Sequence, residues 1–256
     1  MFEIADTGRV RTLVVDNPEH KNAISSAGWV ELAGHFEAFE ASEQRALVIT
    51  GAGTDFCSGA DLGGSVFTDH GIAARYADMR QVGKAATALY RISKPTVAAV
   101  EGVAVGAGMN LALACDIVIA SRTARFSEIF VKRGLTVDFG GTWLLPRLVG
   151  LATARDLALT GRMVGGEEAA TIGLAARVVE PEHLQAEALE AATALAAGAP
   201  LAQRFIKTGL NRSLDMTFEQ ALAYEDQAQA ILLSSEDVVE GVTAFLSKRD
   251  PDFKGR

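Results

Sequence analysis

The stretch between residues 94 and 150 constrains the fold of this chain more than any other. A buried-strand pattern from Thr96 to Val100 leads into the small residues of Val100-Glu-Gly-Val-Ala-Val-Gly-Ala-Gly-Met-Asn110, and a helical pattern begins near Ala107. Small residues let another molecule approach the backbone, and the first turn of a helix has amide groups without intrahelical partners. Such amides can stabilise negative charge that develops on a carbonyl oxygen. The sequence therefore predicts an oxyanion site at this turn.

A single carboxyl group follows in a mostly apolar segment. Asp138 lies in Gly134-Leu-Thr-Val-Asp-Phe-Gly-Gly141, between Val137 and Phe139. Apolar surroundings disfavour the ionised form, so we expect the pKa of Asp138 to lie above the usual value for aspartate, which is about 3.9. A carboxylate of this kind is a candidate general base. A helix-capping acid ahead of the two glycines is the structural alternative.

Strand and helix patterns alternate up to Pro181, and only helical patterns follow. Strands are predicted at Val10–Val15, 46–50, 96–100 and 116–120, with helices from Ser25 or Ser26 to about Ala41 and from about Ala73 to Ile92. The later helical patterns cover 182–197, 201–212, 218–233 and 236–248. Alternation of this kind predicts mostly parallel strands joined by crossover helices, and hence an α/β fold with a helical C-terminal section.

Composition narrows the class of protein. The chain has 256 residues, of which 49% are hydrophobic, and a net charge of −8, which argues against a nucleic-acid-binding protein. Cys57 and Cys115 do not make a disulfide framework, and the four histidines lack metal-ligand spacing. There is no signal peptide pattern and no apolar run near the roughly 20 residues of a membrane helix. We expect a cytoplasmic protein with no metal site and no membrane or nucleic-acid partner.

A second small-residue segment, Asp55-Phe-Cys-Ser-Gly-Ala-Asp-Leu62, follows the strand predicted at 46–50. Gly59 permits a tight turn that would direct the N–H of Ala60 into a pocket, although an ordinary strand-to-helix turn is the alternative. A dinucleotide site is disfavoured, because position 111 is leucine where the G-x-G-x-x-G motif requires its third glycine.

Together these segments resemble the crotonase family, also called the enoyl-CoA hydratase/isomerase superfamily. The matching segments occur in the family's order at 17–24, 56–62, 94–95, 104–111, 115–120, 140–147, 159–161, 170–173 and 240–249. The resemblance implies a crotonase-like α/β spiral of ββα repeats. Residues 1–195 would form the spiral core and 196–256 a C-terminal helical trimerisation section. It also implies self-association into a homotrimer or a dimer of trimers.

The resemblance further implies acyl-CoA thioester substrates, whose enolate oxygen is bound by two backbone N–H groups. On this sequence these donors are Ala60 and Ala107, and Asp138 is the acid/base group. Coenzyme A would enter as part of the substrate, with no permanently bound cofactor. The residues implied to contact the substrate or its CoA are Lys21, Ala23, Ser58, Gly59, Asp61, Leu62, Gly106, Asn110, Phe130 and Lys248.

The acidic residues of this chain differ from those of the family's hydratases, which carry two glutamates. Asn110 occupies the first position and Phe130 aligns with the second, while Glu128 would take that place only after a register shift. The segment around Asp138 is similar to isomerases of phenylacetate degradation, which rearrange a ring epoxide of phenylacetyl-CoA and shift 3-enoyl-CoA double bonds. A 1,3-proton shift needs one acid/base group, whereas hydration divides its work between two. We therefore predict an enoyl-CoA or ring-epoxide isomerase with Asp138 as its base.

Three alternatives remain open. The first is an enoyl-CoA hydratase of the β-oxidation type, and the second is a catalytically silent acyl-CoA binder. The third is a dehalogenase with Asp138 as nucleophile, for which Trp143 and Phe139 are the nearest aromatic residues. Asp69 and His70 fall where family members have a mobile active-site loop, which gives them a possible minor role at the substrate.

Overall fold

A computed structural model describes residues 1–63 and 71–256, so Asp69 and His70 lie outside the described residues. The described strands are β1 (Phe2–Thr7), β2 (Val10–Val15), β3 (Ala46–Gly51), β4 (Thr96–Val100), β5 (Val103–Val105), β6 (Ile117–Ser121), β7 (Arg125–Ser127), β8 (Val164–Gly165) and β9 (Arg177–Val179). The described helices are α1 (Ser26–Glu40), α2 (Ile72–Tyr90), α3 (Ala107–Leu113), α4 (Gly141–Thr160), α5 (Gly166–Thr171), α6 (Leu184–Ala197), α7 (Pro200–Arg212), α8 (Phe218–Leu233) and α9 (Glu236–Ser247). No helix of the described residues is long and apolar enough to cross a bilayer.

The larger sheet has six strands in the order β1-β2-β3-β4-β6-β9. Only β1 is antiparallel to its neighbour, and the remaining pairs are parallel. The middle strands β3 and β4 are buried along nearly their whole length, as expected for parallel strands covered on both faces. The predicted parallel pairing is therefore confirmed.

A smaller sheet of three strands, in the order β5-β7-β8, carries the ends of the loops that form the candidate site. Strand β5 leads through Gly106 into α3, and β7 ends immediately before Glu128. Two isolated bridges extend this region, since Cys57 pairs with Ala104 and Ala60 pairs with Ile24. The segments 57–60, 103–107 and 125–128 are thus held side by side by backbone pairing.

Helix α6 covers one face of the larger sheet. Its residues Leu184, Ala188 and Ala192 are fully buried against a cluster that includes Val48 and Ile119. Small alanine side chains let the helix approach the sheet closely. The predicted boundary between residues 195 and 196 falls in the last turn of this helix, and the division into two sections stays a prediction.

Helices α7, α8 and α9 form the C-terminal helical section. Helix α8 begins with a capping box, in which the side chains of Thr217 and Gln220 each accept from the other residue's backbone N–H. These helices and the turn between α7 and α8 leave large apolar side chains exposed, namely Ile206, Leu210, Leu214, Phe218, Leu222, Ile231, Leu233, Val239, Val242, Phe245 and Leu246. An apolar surface of this extent on one section of a chain is typical of a contact with another molecule.

Candidate active site

Two glycine-containing turns lie in backbone contact. A Cβ atom built on Gly59 would lie 2.9 Å from the carbonyl oxygen of Val105 and 3.3 Å from the amide nitrogen of Ala107. A Cβ atom built on Gly108 would lie 2.2 Å from the carbonyl oxygen of Cys57. Gly59 also has a φ of 89°, which side chains rarely tolerate. Glycine at these two positions is what lets the predicted oxyanion segments meet.

The amide groups of Ala60 and Ala107 are the free donors of these turns. Ala107 is the first residue of α3, so its N–H has no partner within the helix. Ile24 holds the other turn, because its N–H donates to the oxygen of Gly59 at 2.8 Å and its oxygen accepts from Asp61 at 2.9 Å. Within residues 1–63 and 71–256, neither Ala60 nor Ala107 has an acceptor for its N–H. Two such donors side by side can bind an anionic oxygen.

Asn110 connects α3 with the two carboxyl-bearing segments of the site. Its Nδ2 donates to the backbone oxygen of Asp138 at 3.0 Å and lies 3.3 Å from Oε2 of Glu128. The side chain packs against Gly141, where a Cβ atom would lie 2.3 Å from Nδ2. Asn110 and Glu128 are fully buried, whereas Asp138 is half-buried. Asn110, a predicted substrate contact, therefore makes its hydrogen bonds with the protein.

Glu128 lies in this site beside Asn110. In the sequence analysis Phe130, and not Glu128, aligned with the second hydratase glutamate. Burial raises the pKa of Glu128 to about 8, with a further increase from the negative charge of Asp138, although the hydrogen bond from Asn110 acts in the opposite direction. Burial also raises the pKa of Asp138 to about 6, in the direction expected from its apolar neighbours. In the neutral pH range, Asp138 is mostly ionised while Glu128 keeps its proton.

The buried Glu128 carboxyl should make stability depend on pH. The folded protein holds this proton up to about pH 8, whereas an unfolded chain releases it near the reference value of 4.5. Between these values the folded state binds more protons, so stability falls as pH rises. We expect Glu128→Gln to remove this loss, so that the melting temperature of the variant rises relative to the original protein between about pH 5 and pH 8. Thermal unfolding followed by circular dichroism tests this, and a difference that does not change with pH would contradict it.

Phe130 and Gly106 lie together at the start of α3. Phe130 is buried, and its ring lies 3.5 Å from where a Cβ atom on Gly106 would be. Gly106 has a φ of 57° and donates its N–H to the oxygen of Ser127 at 2.9 Å. Both predicted substrate contacts are thus beside the amide of Ala107.

The remaining predicted contacts divide into two groups. Ser58, Asp61 and Leu62 flank Gly59 in the turn at 57–62, and Ala23 precedes Ile24, which bonds to this turn. The Ser58 N–H donates to the oxygen of Lys21 at 2.9 Å. Lys21 is exposed, and its ammonium group forms a 3.0 Å ion pair with Asp55. Lys248 directly follows α9 and has an exposed side chain, which forms no hydrogen bond or ion pair with the site within the described part of this single chain. The predicted contacts of Lys21 and Lys248 with CoA stay predictions.

Asn22 organises the first oxyanion turn, a role that the sequence analysis did not identify. This fully buried residue donates from Nδ2 to the backbone oxygens of Ala52 and Asp55, at 2.9 and 2.6 Å, and its Oδ1 accepts from the N–H of Asn17 at 2.9 Å. Its φ of 57° is one that asparagine tolerates better than most residues. The Sγ of Cys57 lies 3.1 Å from its backbone oxygen.

Asn22→Ala should therefore lower the free energy of unfolding by about 2–4 kcal/mol, because three partly buried backbone groups lose their partners. Chemical denaturation measures this loss. Asn17→Ala serves as a comparison, because that half-exposed side chain makes one hydrogen bond, to the oxygen of Ala23 at 2.9 Å. Equal losses in the two variants would contradict the role given to Asn22.

In the dehalogenase alternative, Phe139 and Trp143 were the nearest candidates for aromatic support of an aryl substrate. Phe139 is buried, and its ring centroid lies 5.4 Å from that of Trp29 on α1. Trp143 instead packs edge-to-face on Tyr90 at 5.3 Å and under the guanidinium of Arg147 at 3.8 Å. Phe139 is therefore a core residue that supports the backbone of Asp138.

Cys57 is a packed thiol and not a nucleophile. It is fully buried, and burial raises its pKa to about 12. A thiol with this pKa is not ionised at neutral pH, so it is a poor nucleophile. No cluster of three or more potential metal ligands occurs in residues 1–63 and 71–256.

Comparisons with known proteins agree with this geometry. A family model described as "Enoyl-CoA hydratase/isomerase" matches residues 7–256. The chain is 40% identical over 255 residues to a Rhodobacter capsulatus protein named "Probable enoyl-CoA hydratase", with 100% of this chain and 97% of that protein covered. It is 38% identical to the 1,2-epoxyphenylacetyl-CoA isomerase of Escherichia coli, with 96% and 95% covered.

Solved structures have the same fold as this chain. The crystal structure of an enoyl-CoA hydratase from Bacillus anthracis superposes with a TM-score of 0.95 at 29% identity, with 100% of this chain and 99% of that chain covered. The predicted crotonase-like α/β spiral with a C-terminal helical section is thereby confirmed. The chain belongs to the enoyl-CoA hydratase/isomerase family and is a crotonase-fold enzyme that acts on acyl-CoA.

Proposed function

We propose that this enzyme isomerises enoyl-CoA or ring-epoxide acyl-CoA thioesters by a proton shift through an enolate. The observation that carries the proposal is Asp138, a half-buried carboxyl whose pKa burial raises to about 6. Such a group is mostly ionised at neutral pH and still basic enough to remove a proton next to a thioester carbonyl.

In the proposed reaction the carboxylate of Asp138 removes the proton at C2 of a 3-enoyl thioester. The electron pair moves onto the thioester oxygen, where the N–H groups of Ala60 and Ala107 stabilise the negative charge. The same carboxyl group then returns the proton at C4, which forms the conjugated 2-enoyl product. No cofactor is needed, because coenzyme A enters and leaves as part of the thioester.

Hydration of 2-enoyl-CoA is the second candidate, and a specific observation favours it. Asn110 hydrogen-bonds the carboxyl group of Glu128 and the backbone oxygen of Asp138, so this site has two acidic residues although it lacks both hydratase glutamates. Two acids divide the work of hydration well, since one holds water and the other supplies a proton. Several similar curated proteins also carry hydratase names.

Paired assays with 3-hexenoyl-CoA and crotonyl-CoA separate these candidates. The proposal expects robust isomerisation and negligible hydration. Faster hydration than isomerisation would overturn it in favour of the hydratase. Tight binding of both thioesters without turnover would instead identify a catalytically silent acyl-CoA binder.

We also propose that the chain assembles into a homotrimer or a dimer of trimers. Support comes from the exposed apolar side chains of α7, α8 and α9, where Phe218, Phe245 and Leu246 are 74%, 81% and 75% exposed. Burial of these side chains between subunits would remove them from water. Sedimentation equilibrium measures the mass, and a monomer at micromolar concentration would contradict this assembly.

A further inference from the structure

Three buried oxygen atoms around Asn110 have no hydrogen-bond donor among residues 1–63 and 71–256. They are Oδ1 of Asn110, Oε1 of Glu128 and Oδ1 of Asp138. A buried acceptor without a donor is costly, and three of them in one cluster are unusual. A proton on Glu128 turns one of the three acceptors into a donor, which lowers this cost.

The charges around the cluster favour the same protonation state. Asp138, from the segment before α4, is the ionisable group that faces Glu128, and the polar group from α3 is the uncharged amide of Asn110. Within the described parts of the chain, neither carboxyl forms an ion pair with a lysine, arginine or histidine. Two neighbouring carboxyl groups, one buried and one half-buried, do not both ionise readily without a cation, because each negative charge opposes the other. Glu128 is the deeper of the two, which makes it the one that retains the proton.

The hydrogen bonds of Asn110 give this proton a structural consequence. Asn110 lies one turn beyond Ala107 on α3, and its Nδ2 is shared between Oε2 of Glu128 and the backbone oxygen of Asp138. Oε2 accepts from Nδ2, so Glu128 selects the amide orientation that also presents a donor to Asp138. The opposite orientation would place the oxygen of the amide against two acceptors. Asn110 therefore fixes the distance between the oxyanion donor on α3 and the segment of the base.

We propose that Glu128 is a positioning residue of this active site, which stays protonated while Asp138 is ionised and which holds Asn110 between α3 and the base. The inference rests on the proposed isomerisation. An ionised Glu128 adds a second negative charge beside the enolate that the site must form. Activity should therefore rise with pH as Asp138 loses its proton and fall again as Glu128 loses its own.

The pH dependence of kcat/KM for 3-hexenoyl-CoA tests this in the full-length protein. The original enzyme should give a bell-shaped profile with limbs near pH 6 and pH 8, the values at which burial places the two carboxyl groups. Glu128→Gln keeps the shape of the side chain but cannot ionise, so it should lose the alkaline limb of the profile and keep the acid limb. Glu182→Gln, at an exposed site, is the matched control and should keep both limbs.

Glu128→Ala separates positioning from charge. Without an acceptor for Nδ2, Asn110 is no longer held, so kcat should fall by about tenfold or more across the pH range while KM stays within about threefold. An unchanged alkaline limb in Glu128→Gln would overturn the proposal. A loss of more than about a hundredfold at pH 7 in Glu128→Gln would also overturn it, since Glu128 would then transfer protons itself.

Infrared difference spectroscopy of the substrate-free protein makes the test independent of turnover. A band from a protonated carboxylic acid should be present at pH 7, absent in Glu128→Gln, and lost above about pH 8. Because the negative charge of Asp138 repels that of Glu128, Asp138→Asn should move the pH at which this band is lost to a lower value. A band lost at the same or a higher pH would mean that the two groups do not repel each other. Absence of the band at pH 7 would overturn the inference. If the band behaves as expected but no substrate is isomerised, the proposed function fails and the protonation of Glu128 stands.

Discussion

Asp138→Asn should lower kcat/KM for the isomerisation of 3-hexenoyl-CoA by about 10³-fold, the middle of the range for loss of a general acid/base group. Asparagine has the same shape as aspartate and cannot accept a proton from C2. KM should change by less than about threefold, because backbone N–H groups of Ala60 and Ala107 bind the thioester oxygen in both proteins. The growth of conjugated 2-hexenoyl-CoA, followed by its ultraviolet absorbance, gives the rate.

The control for this variant is Asp226→Asn, which removes the same charge from an exposed position on α8. It should retain the activity of the original protein. An Asp138→Asn enzyme with more than about a tenth of the original rate would refute Asp138 as the base. If crotonyl-CoA hydration survived in that variant, Glu128 would become the candidate acid of a hydratase.

Gly108→Ala should lower kcat by about 10²-fold through a single added methyl group. Its Cβ atom would lie 2.2 Å from the oxygen and 2.7 Å from the carbonyl carbon of Cys57, so one of the two backbones must move. That movement separates the amides of Ala60 and Ala107, and loss of one good oxyanion donor typically costs about 10²–10³ in rate. Overpacking of this kind should also lower stability by about 1–3 kcal/mol. Stopped-flow isomerisation and chemical denaturation measure the two effects separately.

Gly34→Ala on α1 is the matched control, because no atom lies within 4 Å of a Cβ atom built there. Alanine at an open helical position should raise stability by about 0.5–1 kcal/mol and leave kcat unchanged. A Gly108→Ala enzyme that folds and retains full kcat would mean that the contact between the two turns does not set the oxyanion geometry.

The main elements of the fold could be predicted from the sequence because their signals are local. Strand β2 has the predicted bounds, and β3 and β4 are continuous apolar runs that stand out without any alignment. Strand β1 was missed, because five of its six residues are exposed and no alternation marks it. Strands β5, β7 and β8 have only two or three residues each, too short for a periodic pattern.

The candidate site was predictable only in part, for a related reason. Ala60, Ala107 and Asp138 are marked by small or apolar neighbours in the sequence itself. Glu128 is marked by a contact with Asn110, 18 positions away, which no local pattern reveals. A buried acid directly after a short strand would have been the signal, but β7 was not recognised as a strand. The packing of Phe139 on Trp29 is equally non-local, so no local pattern revealed that this ring belongs to the core.

The tight fit of Asn110 also limits how this enzyme can be redesigned. A glutamate introduced at position 110, as found in the hydratases, would become a third carboxyl group beside Glu128 and Asp138. It would also occupy a space that ends at Gly141, where even a methyl group would meet the present side chain. A glutamate at position 110 therefore requires several replacements at once, with Glu128 neutralised in the same step. A single substitution to glutamate at position 110 is therefore disfavoured both by the lack of space and by the added negative charge.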